Sequence, residues 1–523
     1  MNKYILFLLS FFLMSCNDYL TQLPKSDLSK DQFFDDPNQI KYAVNALYRE
    51  GASTFYQGGS YEGAPIMYGG YLSGLYDNTY KGQYAFIQYL QTLIYTSENI
   101  SAKLEDVWFK CYKEISNANF VVSNIEKVTD LSEEEKDKLK AEALFFRAFN
   151  YFYLVRNFGG VPLITEAYEG LDNIYVPRAT VKEIYNLIEE DLLFATKTGL
   201  PNKAFTQGGF RITQGAAEML LADVYLNMSG YPLLEDHYGD AAKYARKIIK
   251  DARHSLLSHD NFEEASAYNK IRKLDNADEY IYTFEYNNET FKNNARGQYA
   301  IPSVGSSWGI FKYGTTNIPY EPTPELLRFF DRENDLRVQE YQYIYSSYSY
   351  EKKGELITRE FSPAPYWYFE EEAALVTGIG QKDDPIYRYS ETLLIAAEAI
   401  AQSEGVTSEA VDYLSQVRSR AYVKEPVDQL KRELSSLSKE QFIKEVWAER
   451  IREFLFEYKI WNDIQRTRKY PTNGNNKGKV DFVDFVGAKN PMGATYKEHN
   501  LLFPIPFYEM QRNPSLEQNP GYY

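Results

Sequence analysis

The stretch Glu142-Ala143-Leu144-Phe145-Phe146-Arg147-Ala148-Phe149-Asn150-Tyr151-Phe152-Tyr153-Leu154-Val155-Arg156-Asn157-Phe158-Gly159-Gly160-Val161-Pro162-Leu163 decides the fold. It reads as the buried end of one long helix. Ser132 and Glu135 form a capping box at its start, in which each side chain satisfies a backbone N–H that the first helical turn leaves unpaired. Gly159-Gly160 marks the stop. Leu139, Ala143, Phe146, Asn150 and Tyr153 share one face, and Leu144, Ala148, Phe152 and Val155 cover the adjoining one, so the helix is buried on most sides. Its acidic first turn is solvated and suits the helix dipole.

Working outward, helices come in pairs. Ala217, Leu220, Leu221, Val224 and Met228 form an apolar stripe ending near Gly230 and Pro232, and a second helix follows from Asp240 through Ala241, Tyr244, Ala245, Ile248, Ile249 and Ala252. The plan recurs with Leu393, Leu394, Ala397, Ile400 and Ala401, a break at Gly405, then Val411, Leu414, Val417 and Ala421. Small residues let neighbouring helices approach closely, so two such hairpins predict stacked units of degenerate tetratricopeptide type. A last long helix starts at Ser438, with Gln441 completing its box. It runs through Phe442, Val446, Ile451, Phe454, Leu455 and Tyr458 and is over before Pro471. The expected fold class is mostly α: a tetratricopeptide-like helical repeat scaffold with long irregular loops and a few short strands, one at Tyr280 to Tyr286.

Between the helices lie Tyr56 to Tyr89, rich in Gly and Tyr, Asn287 to Pro324 with the isolated Trp308, and the aromatic run Tyr341 to Trp367. Long loops in a compact protein usually bear its function. The formal charge of −16 argues against a nucleic-acid partner, because phosphates would be repelled over most of the surface. Aromatic residues make up 16% of the chain, which suits either a helix-rich core with a wet boundary or a surface that binds sugar or peptide.

The N-terminus sets the compartment. Lys3 supplies a positive n-region, Ile5 to Met14 are apolar but too few for a finished membrane span, and Leu13-Met14-Ser15-Cys16 resembles a bacterial lipobox. Residues 1–15 are then a lipoprotein signal peptide and Cys16 the lipidation site. Residues 16–30 form the tether and leader, and residues 31–523 a single body with an N-terminal helical half, 31–260, and a C-terminal half, 261–523. Cys111 then has no disulfide partner. It lies in the helical pattern Val107, Trp108, Cys111, Ile115 and reads as a small core residue.

The order of these blocks resembles the SusD/RagB family of Bacteroidetes. The resemblance is carried by Glu142 to Leu163, by Ala216-Ala217-Glu218-Met219-Leu220-Leu221-Ala222-Asp223-Val224-Tyr225-Leu226, and by Arg388-Tyr389-Ser390-Glu391-Thr392-Leu393-Leu394-Ile395-Ala396-Ala397-Glu398-Ala399. The end adds Leu502-Phe503-Pro504-Ile505-Pro506, Asn513-Pro514 and Gln518-Asn519-Pro520-Gly521-Tyr522. One departure follows Glu457, where the family usually has Gly and a basic residue before Trp and this chain has Tyr458, Lys459 and Ile460 ahead of Trp461. The resemblance implies a lipid-anchored protein on the outer face of the outer membrane. It would bind an oligo- or polysaccharide, or in some members a peptide, and sit as a lid on a SusC-like TonB-dependent transporter. The alternative is a mainly scaffolding lid.

Enzyme readings lack their parts. The four histidines form no HExxH, and there is no CxxC, Walker A loop or GxSxG, so neither a metal nor another cofactor is called for. Asp383-Asp384 and Glu370-Glu371-Glu372 are adjacent acids, whereas glycosidic acid/base work needs two carboxyl groups facing each other across a bond. For a sugar site the expected mixture is exposed aromatic rings with fixed polar partners. Trp308 leads, because Gly305, Ser306, Ser307 and Gly309 give its ring no helical stripe to bury it. Tyr76, Asp77, Asn78 and Tyr80 form a comparable cluster after Gly74, and Trp367 is a third candidate. Trp108, Trp447 and Trp461 lie in helical patterns and are expected to be structural.

Overall fold

The computed structural model describes residues 36–56, 65–78, 84–167, 174–203, 205–206, 209–275, 277–286, 296–302, 304–313 and 320–522. Its principal helices are α1 (Pro37–Leu47), α2 (Ser101–Asn124), α3 (Glu133–Phe158), α4 (Val181–Lys197), α5 (Gln214–Met228), α6 (Tyr238–Asp251), α7 (Tyr389–Glu404), α8 (Ser408–Ala421), α9 (Lys439–Glu453) and α10 (Ile460–Thr467). Each of α2 to α6 packs on the next, α6 packs on α7, and α7 packs on both α8 and α9. This is the stacked-hairpin scaffold that the alanine-rich stripes predict. Among the described residues no helix is long and apolar enough to cross a membrane.

Caps fix the helix starts. The Glu135 amide donates to Ser132 Oγ at 3.3 Å and the Ser132 amide to Glu135 Oε2 at 3.2 Å. The same reciprocal box opens α4 at Thr180 and Glu183, and α9 at Ser438 and Gln441. Gly159 ends α3 at φ 72°, a backbone conformation open to glycine and strained for other residues. From Ala141 to Phe158 every residue of α3 is buried, because neighbouring helices lie on both sides. Cys111 is fully buried, and burial pushes its thiol well above the usual range, as befits a core residue. Trp108 and Trp461 are buried, while Trp447 is half-buried and donates to Glu398 at 2.9 Å.

One helix is shorter than its sequence suggests. The apolar pattern predicts α9 through Tyr458, yet the helix ends at Glu453. Tyr458 then takes φ 62°, the left-handed conformation, at the position where the resemblance leads one to expect glycine. The strain, about 1–2 kcal/mol for a residue with a Cβ, is offset by packing. The ring lies 5.1 Å from that of Tyr320, and the hydroxyl is 2.9 Å from that of Tyr368.

The strands are short and paired. β1 (Tyr76–Asp77) pairs with β3 (Glu321–Pro322), β2 (Tyr280–Phe284) with β6 (Asp384–Arg388), and β4 (Ile344–Lys352) with β5 (Glu355–Pro365), all antiparallel. Residues 252–388 therefore leave the scaffold after α6 and return at α7, with β2 and β6 tied together at the point of return. Arg246 on α6 ties that helix to the end of α7 and the start of α8, binding Glu404 at 2.7 Å and Glu409 at 2.6 Å.

Buried charge holds this segment to the last helices. Arg337, Arg388, Arg418, Arg420 and Arg452 face Asp335, Glu279, Glu449, Glu453 and Glu457, all of them buried. Arg388 reaches Glu279, Glu457 and Glu453 at 2.6, 2.6 and 3.0 Å. Burial pushes the Glu449 carboxyl up, but Arg337, Arg452 and Arg418 outweigh it and hold the group far below the usual carboxylate range.

Candidate functional site

β4 and β5 form a hairpin whose turn, at Lys353 and Gly354, has φ of 55° and 84°. Two consecutive positive φ values match the twist of the strands, and a glycine at the second position makes the turn accessible. Tyr350 pairs with Ile357 and Tyr348 with Arg359. Alternation along a strand sends every second side chain to one face, so Tyr348 and Tyr350 share the inner side of the hairpin, and a register shift between Tyr345 and Ser347 brings Tyr345 to it as well.

Trp308 packs onto that side. Its ring lies 6.2 Å from Tyr350 at an interplanar angle of 10°, 5.7 Å from Phe361 and 5.9 Å from Phe311. The cluster continues from Phe311 to Tyr348 at 5.1 Å, from Tyr348 to Phe369 at 5.8 Å, and from Phe369 to Tyr366 at 5.3 Å. Tyr348, Phe361 and Tyr366 are half-buried and reach the surface. Ser349 and Thr358 share a 2.8 Å hydrogen bond on the opposite, exposed face of the hairpin, and the Tyr341 hydroxyl donates to the Ser347 carbonyl at 3.0 Å.

This placement corrects the expectation of an exposed Trp308. Only 9% of the residue is accessible, because the hairpin supplies the apolar cover that its own loop lacks. Trp367 is also buried, packed edge-on against Tyr343 at 4.9 Å. Tyr76 and Asn78 are each 1% exposed, too enclosed to offer a face to a ligand. Tyr76 stacks on Tyr320 at 3.9 Å and its hydroxyl donates to the Leu455 carbonyl. Asp77 is half-buried and accepts from Gln91 at 2.9 Å. Tyr80 and Cys16 lie outside the described residues. Asp383 and Asp384 turn inward, accepting from the Tyr286 amide at 2.8 Å and the Tyr286 hydroxyl at 3.2 Å.

The residues missed by sequence reasoning are Tyr348, Phe361, Tyr366 and Phe369. The signal for them was the alternation Tyr341, Tyr343, Tyr345 followed by a Lys353-Gly354 turn, which reads as a hairpin.

Pairing of β1 with β3 sets Asp77 opposite Glu321. Burial and the Asp77 charge push the Glu321 carboxyl up to about 7. The folded protein thus holds this proton more tightly than the unfolded chain, whose glutamates titrate near 4.3. The contribution to stability is full below the unfolded value and is lost as pH rises towards 7. Glu321→Gln is expected to raise the melting temperature by about 2 °C at pH 8 and to leave it unchanged at pH 5. An equal shift at both pH values in thermal melts would refute the ionisation argument.

A family model described as the SusD family matches residues 221–522. The chain belongs to the SusD family. A second model, described as starch-binding and associating with the outer membrane, matches residues 18–226. SusD-like protein P2 of Formosa agariphila is 26% identical over 98% of this chain and 97% of that protein. The starch-binding protein SusD of Bacteroides thetaiotaomicron is 24% identical over 81% of this chain and 79% of its own. The crystal structure of a SusD superfamily protein from Parabacteroides distasonis superposes with a TM-score of 0.80 at 29% identity, covering 93% of this chain and 99% of that one.

Proposed function

We propose that this protein is a surface glycan-binding lipoprotein that captures an oligo- or polysaccharide and passes it to a SusC-like TonB-dependent transporter in the outer membrane. The observation that carries the reading is the aromatic cluster on a SusD family scaffold, with half-buried rings reaching the surface. Sugars present flat C–H patches that stack on rings, and hydroxyls that need polar partners. In this proposal Tyr348 and Phe361 meet the ligand and Trp308 supports them from behind. The role is binding without catalysis, in a body spanning residues 31–523 that is tethered through Cys16.

Isothermal titration of the purified protein against a panel of polysaccharides tests the reading. Tyr348→Ala is expected to weaken the bound glycan about tenfold, the loss of one stacked ring, with an unchanged melting temperature. Equal affinity in the variant would remove Tyr348 from the site. Cys16→Ala should move the protein from membrane to soluble fractions in cells that lack the transporter, since the acyl chains are the anchor. Copurification from outer membranes in mild detergent should recover a TonB-dependent barrel.

A further inference from the structure

Beyond Tyr366 the aromatic cluster ends in a cleft of about 400 Å³, within the usual size range of small-molecule sites. Its floor is fixed. Arg272 donates to Asn269 Oδ1 at 3.1 and 3.0 Å and to the Phe369 carbonyl at 2.5 Å, and its guanidinium sits 4.1 Å from the Tyr366 ring centroid. Lys382 donates to Asp275 at 3.1 Å. Around the opening stand Glu264, Lys273, Glu371 and the Tyr366 hydroxyl. Among the described residues none of these four side chains makes a hydrogen bond or ion pair.

Two features constrain what could enter. The ring of Tyr366 is already covered by Arg272 and by Phe369, which lies nearly parallel to it at 16°. Stacking is therefore spent on the protein, and an incoming group meets hydrogen-bonding atoms instead. Charge is the second constraint. The lining carries three cations, Arg272, Lys273 and Lys382, against four carboxylates, Glu264, Asp275, Glu370 and Glu371. The opening is net negative, on a protein that is itself strongly acidic. A carboxylate or sulfate there would face like charge in a partly desolvated site, where the repulsion is screened less than in open water.

We propose that this cleft is a subsite for one uncharged sugar unit of the glycan, and that it excludes uronic acid and sulfated units. Adjacent hydroxyls of a neutral hexose donate to a carboxylate and accept from an ammonium, so Glu264, Glu371 and Lys273 match a pair of diols and the Tyr366 hydroxyl fits a further oxygen. The inference rests on the glycan-binding reading above and adds to it a class of substrate and a site whose selectivity comes from hydroxyl geometry.

The test is affinity electrophoresis and titration calorimetry of the purified protein with neutral polysaccharides (starch, a β-glucan, a mannan) and anionic ones (alginate, polygalacturonate, a sulfated galactan). Binding is expected among the neutral set alone. The double variant Glu264→Gln, Glu371→Gln should lose at least fivefold in affinity for the neutral ligand. Its melting temperature should be that of the wild type, because both groups are exposed. Wild-type binding to an anionic glycan as tight as to any neutral one overturns the proposal. So does an unchanged neutral affinity in the double variant, which leaves the broader glycan reading standing. Failure to bind any glycan of either class removes the broader reading, and the subsite with it.

Discussion

Replacing Glu453 by alanine is expected to destabilise the protein by about 3–5 kcal/mol, the cost of breaking a buried ion pair by deleting one partner. The carboxylate lies among three guanidiniums, at 2.6 Å from Arg420, 3.0 Å from Arg388 and 3.2 Å from Arg337. Its removal leaves an excess of cations where water cannot reach them. By contrast Glu134→Ala, which cuts the exposed Lys138 pair at 2.8 Å, should cost less than about 1 kcal/mol. Urea and thermal unfolding of both variants make the comparison. Similar midpoints for the two would mean that the buried network is dispensable. The network also predicts acid sensitivity. Because Glu449 titrates far below its unfolded value, its contribution is present above pH 4.3 or so and is lost as pH falls through the folded value.

Trp308→Ala should lower stability by about 3 kcal/mol, the low end for emptying a buried tryptophan site, and should also abolish most glycan binding. The ring is the common neighbour of Tyr350, Phe361 and Phe311, so its loss frees the inner side of the hairpin. Trypsin reports this directly: Lys352 and Lys353 are exposed at the turn, and cleavage there should accelerate relative to the wild type. Trp108→Ala, which empties a site beside Tyr112 and Phe158, should destabilise to a similar extent without changing the affinity of the folded fraction. Unaltered cleavage at the hairpin in Trp308→Ala, with normal binding, would separate Trp308 from the ligand face.

The helices were legible because their signals are local. A box such as Ser132 with Glu135 and an apolar stripe such as Ala217 to Met228 are complete within a few turns. The Thr180 and Glu183 box of α4 has the same local form, although the sequence reading did not single it out. The early end of α9 was not, since Phe454 and Leu455 continue the stripe and only the tertiary contacts of Tyr458 with Tyr320 and Tyr368 explain the left-handed turn. The site failed for a related reason. Small neighbours around Trp308 say that its own loop cannot cover the ring, and they say nothing of Tyr350 or Phe361 arriving from the hairpin. Tyr76 was hidden in the same way by Tyr320. Exposure of an aromatic ring in a loop is a long-range property, and a single sequence carries it only weakly.

The way residues 285–383 leave the helical stack and return to it bears on how much change that stretch tolerates. The stretch between β2 and β6 is closed at one place by their pairing, with Phe284 opposite Asp384. Chain inserted at an exposed turn in between, such as Lys353-Gly354, changes mainly the entropy of closing a loop whose ends are already together, roughly 0.6 kcal/mol for each doubling of length. Exposed turns of the segment can therefore vary in length while Asp335 and Arg337 keep it on the last helices.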